Sequence, residues 1–234
     1  MSFVLVHGGG FAGSCWDRLL PLLDGDAIAV DLPGRGSRPA DLSTVTLDDW
    51  AAAVLEEMDA RDLTDVVLVG HSMAGLTLPR VLHSGAGRIR HAVFVSCAVP
   101  PDGARLLDVV HLLTPDIGDV AALVERDDQP GGGLSPAILE AMFCNDMDAD
   151  LTRFTLERVV PETTHGLAEP VDLSGLRSGV PLLYVRLLQD AAIPLASQDQ
   201  MMANLGGAEM ADIDCGHMVM ISQPEKLAAL LNGL

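Results

Sequence analysis

Ser72 stands in Gly70-His71-Ser72-Met73-Ala74-Gly75, directly after the apolar run Val66-Val67-Leu68-Val69 and ahead of a helical pattern that begins near Leu76. Strand, tight turn and helix in that order are the context in which a strained backbone lifts a nucleophilic serine above a sheet. Small neighbours on either side let other segments come close. Counted as G-x-S-x-G the motif is offset by one place, since Ala74 takes the second glycine's position and Gly75 follows it. A serine hydroxyl is a weak nucleophile at neutral pH and needs a base within hydrogen-bond reach, itself oriented by an acid. His217, in Asp214-Cys215-Gly216-His217-Met218 after the last apolar run, is the candidate base among seven histidines. His71 is expected to point away across the turn, His7 to support a glycine loop, and His83 and His91 to flank a solvated helix end. His111 and His165 lie in an insertion and read as surface residues, with lining of a pocket as the alternative. Asp190, in Gln189-Asp190-Ala191-Ala192-Ile193-Pro194, is the candidate acid; its rivals are Asp199, in the following helix, and Asp212 and Asp214, near a strand end.

A second feature, His7-Gly8-Gly9-Gly10, follows the first apolar run. If that run lies beside the strand ending at Val69, the loop sits where an open parallel sheet binds ligands. Glycines there let backbone N–H groups face the carbonyl oxygen of a bound acyl group, with the Met73 amide at a helix start as second donor, and together they form an oxyanion hole. A phosphate loop is disfavoured, because the Lys-Ser/Thr ending of a P-loop is missing and no suitable acidic residue follows the second strand.

These residues need elements to hold them. Short apolar runs at Phe3 to Val6, Ala27 to Asp31, Val66 to Val69, Ala92 to Val95, Leu182 to Arg186 and Glu209 to Ile213 predict about six strands. Helical periodicity lies between most of them, as in Leu47 to Ala60, with Leu47, Trp50, Val54, Leu55 and Met58 on one face, and in Leu76 to Leu82. Alternation of this kind predicts an α/β fold with a doubly wound, mostly parallel sheet. It breaks between Pro100 and Val180, where Gln129-Pro130-Gly131-Gly132-Gly133 has no regular period. Residues 101–179 are therefore read as a helical cap insertion, and 1–100 with 180–234 as the core; additional sheet-covering helices are the alternative for the insertion.

Composition narrows the function. With 234 residues, 49% hydrophobic and 20% charged, the chain has the make-up of one globular unit. A formal net charge of −19 repels phosphate backbones and anionic headgroups, so nucleic acid and membrane are not expected as partners. No apolar run has membrane-spanning length, and no basic segment precedes Phe3, which points to the cytoplasm. Cys15, Cys97, Cys144 and Cys215 have no metal-ligand spacing and read as reduced structural thiols. No metal and no cofactor is expected. Ten methionines against eight aromatic residues favour an aliphatic pocket over an aromatic cage, although most of the methionines are read as core. A homodimer is left open.

Phe3-Val4-Leu5-Val6-His7-Gly8 with Trp16, Asp31-Leu32-Pro33-Gly34-Arg35-Gly36, Gly70 to Gly75, Asp190 to Pro194, and Gly216-His217-Met218 ahead of Ser222-Gln223-Pro224-Glu225 span nearly the whole chain. In these segments, and in the order Ser72, Asp190, His217, the sequence resembles the α/β-hydrolase superfamily. It is most similar to the small-esterase branch of plant methyl esterases and hydroxynitrile lyases. The resemblance implies Gly9 and Met73 amides as the oxyanion donors. Plant-type lyases carry a lysine after the catalytic histidine and a threonine in the first loop; Met218 and Gly8 hold those places here, so the esterases are the better match. In the cap, Phe143-Cys144-Asn145-Asp146 and Leu167-Ala168-Glu169-Pro170 resemble segments over the pocket of bacterial members.

The expected function is a serine hydrolase that cleaves a small or medium, largely apolar carboxylic ester through an acyl-enzyme, with a small-molecule ester as partner. A lyase, thioesterase or other tailoring step on a biosynthetic intermediate is the second reading, and a non-catalytic receptor that kept the pocket is the third.

Overall fold

Strands whose side chains are apolar on both faces have to be covered on both faces, and the chain meets that demand with helices on each side of one sheet. The computed structural model describes residues 1–113, 134–162 and 165–234. Its strands are β1 (Ser2–Val6), β2 (Asp26–Val30), β3 (Val66–His71), β4 (Ile89–Val95), β5 (Leu182–Leu187) and β6 (Glu209–Ile213). They lie in the order β2-β1-β3-β4-β5-β6 with every neighbouring pair parallel. Each coincides with a predicted run, although β3 continues through His71 and β4 starts at Ile89 instead of Ala92.

The order reverses direction at β1. The chain first steps outward from β1 to β2, then returns to place β3 on β1's other side, with Val6 opposite Gly70. The loops leaving β1 and β3 therefore emerge side by side, and a ligand can enter between them.

Alternation along the strands divides the core in two. Val4, Val6, Val66, Leu68, Ala92 and Phe94 face one layer; Phe3, Leu5, Val67, Val69, Val93 and Val95 face the other. The first layer is closed by α1 (Leu47–Ala60) and α2 (Leu78–Gly85), through Trp50, Val54, Met58, Val81 and Leu82. Thr46 caps α1 through a reciprocal pair of hydrogen bonds with Asp49, which fixes where that helix starts. The helical pattern expected from Leu76 begins as a 3-10 turn, Ser72–Leu76, and becomes α2 only at Leu78. Pro79 explains the break, because proline lacks an N–H and is accommodated in the first turn of a helix.

Between β4 and β5 the described residues form α3 (Leu106–Val109), α4 (Pro136–Phe143) and α5 (Ala149–Leu156). Leu139, Phe143 and Cys144 join the second core layer beside Met218, Met220 and Ile221. The irregular Gln129 to Gly133 stretch lies outside the described residues. After β5 come α6 (Leu195–Ala203), α7 (Val219–Ser222) and α8 (Pro224–Leu231). Among the described residues no helix is long and apolar enough to cross a membrane. Met58, Met201, Met218 and Met220 are buried in the core, Met73, Met142, Met147 and Met202 pack against it partly buried, and Met1 and Met210 are exposed. All four cysteines are free and buried.

Candidate active site

Ser72 is the first residue after β3, and its φ of +54° puts a side-chain-bearing residue in the left-handed region, at a cost of about 1–2 kcal/mol. Its surroundings hold it there. The Ser72 carbonyl accepts from Ala98 N at 2.9 Å. Gly8 abuts it so closely that a β-carbon on Gly8 would lie 2.8 Å from Ser72 Cβ and 3.1 Å from His71 O. The offset glycine of the motif also has a cause: a β-carbon on Gly75 would overlap the Ala98 carbonyl. Position 75, not 74, is where the turn passes against the strand-end backbone after β4.

Asp190 and His217 meet from two further strand ends. Asp190 follows β5 and is buried; its Oδ1 accepts from the backbone N–H groups of Ala192 at 2.8 Å and Ile193 at 2.7 Å. Its Oδ2 accepts from Ser96 Oγ and from His217 Nδ1, both at 2.7 Å. Both carboxylate oxygens are thus satisfied, and Oδ2 faces His217. His217 is 1% exposed, and its ring stacks on Phe143 with 5.6 Å between centroids. Ser72 Oγ makes no hydrogen bond to His217 among the described residues.

His71 does not turn away from the site as expected. Its ring lies 4.5 Å from that of His217, and its Nε2 donates to the His217 carbonyl at 2.9 Å. Burial, with the neighbouring imidazole second, pushes its pKa well below the ordinary histidine range, so it is a neutral support for the His217 loop.

The glycine loop is held by buried polar groups. His7 Nδ1 donates to the Gly8 carbonyl at 2.8 Å and its Nε2 accepts from Leu32 N at 3.3 Å, which fixes the neutral tautomer. Burial lowers its pKa to about 4. Gly10 is pinned on both sides: its N–H donates to Glu162 Oε2 at 2.6 Å and its carbonyl accepts from Val160 N at 2.8 Å. Glu162 is in turn ion-paired with the buried guanidinium of Arg35. Gly9, between these anchors, is packed so tightly on Met73 that a β-carbon would overlap the Met73 sulfur. The fold thus brings together Gly9 and Met73, and Asp190 and His217.

Ser96 and Glu162 carry roles the sequence did not reveal. Ser96, at φ +40° and fully buried, follows the apolar run of β4 directly, and that placement is the only signal it offered. The other candidates are occupied elsewhere. Asp199 and Asp212 pair with Arg186 at 2.7 and 2.8 Å, and Asp214 accepts from Gln189 Nε2 at 2.8 Å. His83 Nδ1 lies 3.2 Å from Ser174 Oγ, and His111 and His165 are exposed. Among the described residues no group of three or more His, Cys, Asp or Glu side chains could hold a metal ion.

Comparison with known proteins agrees with this architecture. The alpha/beta hydrolase family profile matches residues 3–230. The chain is 30% identical over 249 residues to norfluorocurarine synthase 2 of a Strychnos species, covering 98% of this chain and 93% of that protein. It is 28% identical over 245 residues to methylesterase 7 of Arabidopsis thaliana, covering 98% and 94%. A solved structure of polyneuridine aldehyde esterase has a TM-score of 0.80 at 25% identity, covering 98% of this chain and 97% of that one. On the parallel sheet, the strand-end serine and these matches across almost its full length, the chain belongs to the α/β-hydrolase family, in the branch that holds the methylesterases.

Proposed function

We propose that the protein is a serine esterase that cleaves a small or medium, largely apolar carboxylic ester. Ser72 Oγ attacks the acyl carbon while His217 Nε2 takes its proton. The oxyanion that forms is held by the amides of Gly9 and Met73, each contributing on the order of 3 kcal/mol. His217 then passes the proton to the departing alkoxide, leaving Ser72 acylated. Water attacks the acyl-enzyme, again giving a proton to His217, and the acid leaves as the proton returns to Ser72. Asp190 keeps His217 in the tautomer that this shuttle requires. Ester and water go in, acid and alcohol come out, and no cofactor takes part.

The observation that carries this reading is the buried Asp190 carboxylate hydrogen-bonded to His217 Nδ1 at 2.7 Å on the same edge of the sheet as a serine held at φ +54°. Catalytic hydrogen bonds often tighten only when substrate binds, and the bond from Ser72 to His217 is assigned to that complex. The apolar preference rests on Phe143 against His217, Phe11 edge-on to Phe143 at 5.3 Å, and Met73 beside Gly9. The described residues of the 101–179 insertion, Phe143 among them, serve as the cap over this site. A small-molecule ester is the partner, in the cytoplasm, and the net charge of −19 opposes nucleic acid and anionic membrane.

A second reading, a lyase, thioesterase or tailoring step on a biosynthetic intermediate, is favoured by the identity to a protein named norfluorocurarine synthase. Within it, a cyanide-handling lyase is opposed by Met218 and by the closed space at Gly8, where a side chain would meet Ser72. Hydrolysis of short and medium p-nitrophenyl esters by the wild type and by Ser72→Ala, with intact mass after fluorophosphonate treatment, tests the proposal. Turnover and one phosphonyl adduct, both lost in folded Ser72→Ala, are expected. An active Ser72→Ala protein would overturn it, and labelling without turnover would move the assignment to the second reading.

A further inference from the structure

The loops that carry Asp190 and His217 follow β5 and β6, and both are tied to one turn of the insertion. That turn follows α4 and closes with Met147 N donating to Cys144 O at 3.0 Å. From it, Asn145 Nδ2 donates to the carbonyl of Gln189, the residue before Asp190, at 2.8 Å. Asp146 Oδ2 accepts from the N–H of Gly216, the residue before His217, and from Ser222 Oγ, both at 2.7 Å. Phe143, at the end of α4, stacks on the His217 ring with an interplanar angle of 29°. The contact is close at Gly216, where a β-carbon would lie 2.5 Å from Asn145 Oδ1 and 2.6 Å from Asp146 Oδ1.

We propose that Asn145 and Asp146 are positioning residues that lock the acid loop and the base loop to a single turn, so that the insertion sets the geometry of the proton shuttle. The proposal rests on the esterase reading. Asp190 controls the tautomer and in-plane direction of His217, but it cannot control where the backbone of residues 214–218 carries that ring. The backbone there is irregular, and Asp146 Oδ2 accepts the N–H of Gly216, next to His217. Without that acceptor a buried amide loses its partner and the loop can shift, and displacement of a catalytic group by about 1 Å costs on the order of 100-fold in rate. Asp146 acts here through an oxygen at the right place, so a neutral amide of the same shape can replace it.

The test is steady-state hydrolysis and the rate of fluorophosphonate labelling at Ser72 in the wild type, Asp146→Ala, Asp146→Asn and Asn145→Ala, with circular dichroism as the fold control. Asp146→Ala is expected to lose about 10- to 100-fold in kcat with KM within about threefold, and to label at Ser72 proportionately more slowly. Asp146→Asn is expected to restore most of both rates. Asn145→Ala, at an exposed residue with a single bond to the acid loop, is expected to show a smaller kcat loss and to remain folded if Asp146→Ala does not. Wild-type kcat and labelling rate in a folded Asp146→Ala protein, or in Asn145→Ala where Asp146→Ala does not fold, would overturn the proposal alone. So would Asp146→Asn being as impaired as Asp146→Ala, since charge would then be what matters. A wild type that does not label at Ser72 would overturn the esterase reading and this proposal with it.

Discussion

Replacing Asp190 by Asn tests how the acid works, because the structure decides which way the new amide turns. In the wild type Oδ1 takes two backbone N–H groups, at 2.8 and 2.7 Å, while Oδ2 takes the Ser96 hydroxyl and His217 Nδ1, each at 2.7 Å. An NH2 group facing the two backbone donors would leave both buried and unpaired, at about 1–3 kcal/mol each. Facing the other way it meets a hydroxyl that can rotate to accept and an imidazole that can switch tautomer. The second orientation wins. His217 Nδ1 then accepts from the introduced amide, its proton moves to Nε2, and the base can no longer take the Ser72 proton. In triads of known mechanism that tautomer error costs about 10,000-fold in kcat, close to 5.4 kcal/mol of transition-state free energy. Stability should change by less than about 2 kcal/mol, since volume and the backbone bonds to Oδ1 are kept. Steady-state hydrolysis of a p-nitrophenyl ester gives the rate, and nitrogen-15 NMR of the imidazole gives the tautomer. Retention of more than a tenth of the wild-type kcat, or a His217 proton still on Nδ1, would refute this account.

Further outcomes follow from the glycine loop. Glu162→Leu leaves the Arg35 side chain, 1% exposed, charged and without its carboxylate, and should destabilise by about 3–5 kcal/mol in urea unfolding; Arg35→Met with Glu162→Leu should recover the part due to the unpaired charge but not the about 1–3 kcal/mol of the Gly10 N–H left without its acceptor, and a single-variant cost below about 1 kcal/mol would contradict the buried pair. Gly9→Ala would press Met73, whose tail can move, and place a carbon 2.9 Å from the Glu162 Oε2 that Gly10 also holds. The loop must therefore shift, and kcat should fall at least about 100-fold with little change in KM. His7, neutral in the folded protein with a pKa of about 4 against 6.5 when unfolded, contributes stability that is complete above pH 6.5 and lost as pH falls toward 4. The loss amounts to about 3 kcal/mol, and urea unfolding of wild type and His7→Asn at pH 7.5, 5.5 and 4.5 should show a flatter pH slope for the variant.

Local signals in the chain were enough for the elements and for the residues at their ends. Each predicted run became a strand: in the central strands because an apolar stretch of four or five residues between turn signals has few other ways to be buried on both faces, and at the edges, in β2 and β6, with part of the strand left exposed. Ser72, Asp190 and His217 were legible for a related reason: each closely follows such a run, and the ends of parallel strands converge on one edge of the sheet. The offset between Ala74 and Gly75 was visible as an irregularity, but its cause, the carbonyl of Ala98, was not.

What escaped the sequence was the set of polar contacts by which distant stretches of chain hold the candidate residues in place. Ser96 meets Asp190 across 94 residues, Gly10 meets Glu162 across 152, and Asp146 meets Gly216 across 70. His71 was expected to face outward because only its position beside Ser72 could be read, whereas its partner is a carbonyl 146 residues away. None of these residues has a periodicity to betray it, for one polar residue at a strand end or in a loop is much like another until a partner arrives. The sequence by itself determined which segments are strands and helices and which side chains could form a nucleophile, a base and an acid, because those depend on spacing along a few residues. Strand order and the docking of the segment between β4 and β5 decided which carboxylate takes which proton and what holds the glycine loop, because a buried hydrogen bond forms only where the finished tertiary structure brings donor and acceptor within about 3 Å.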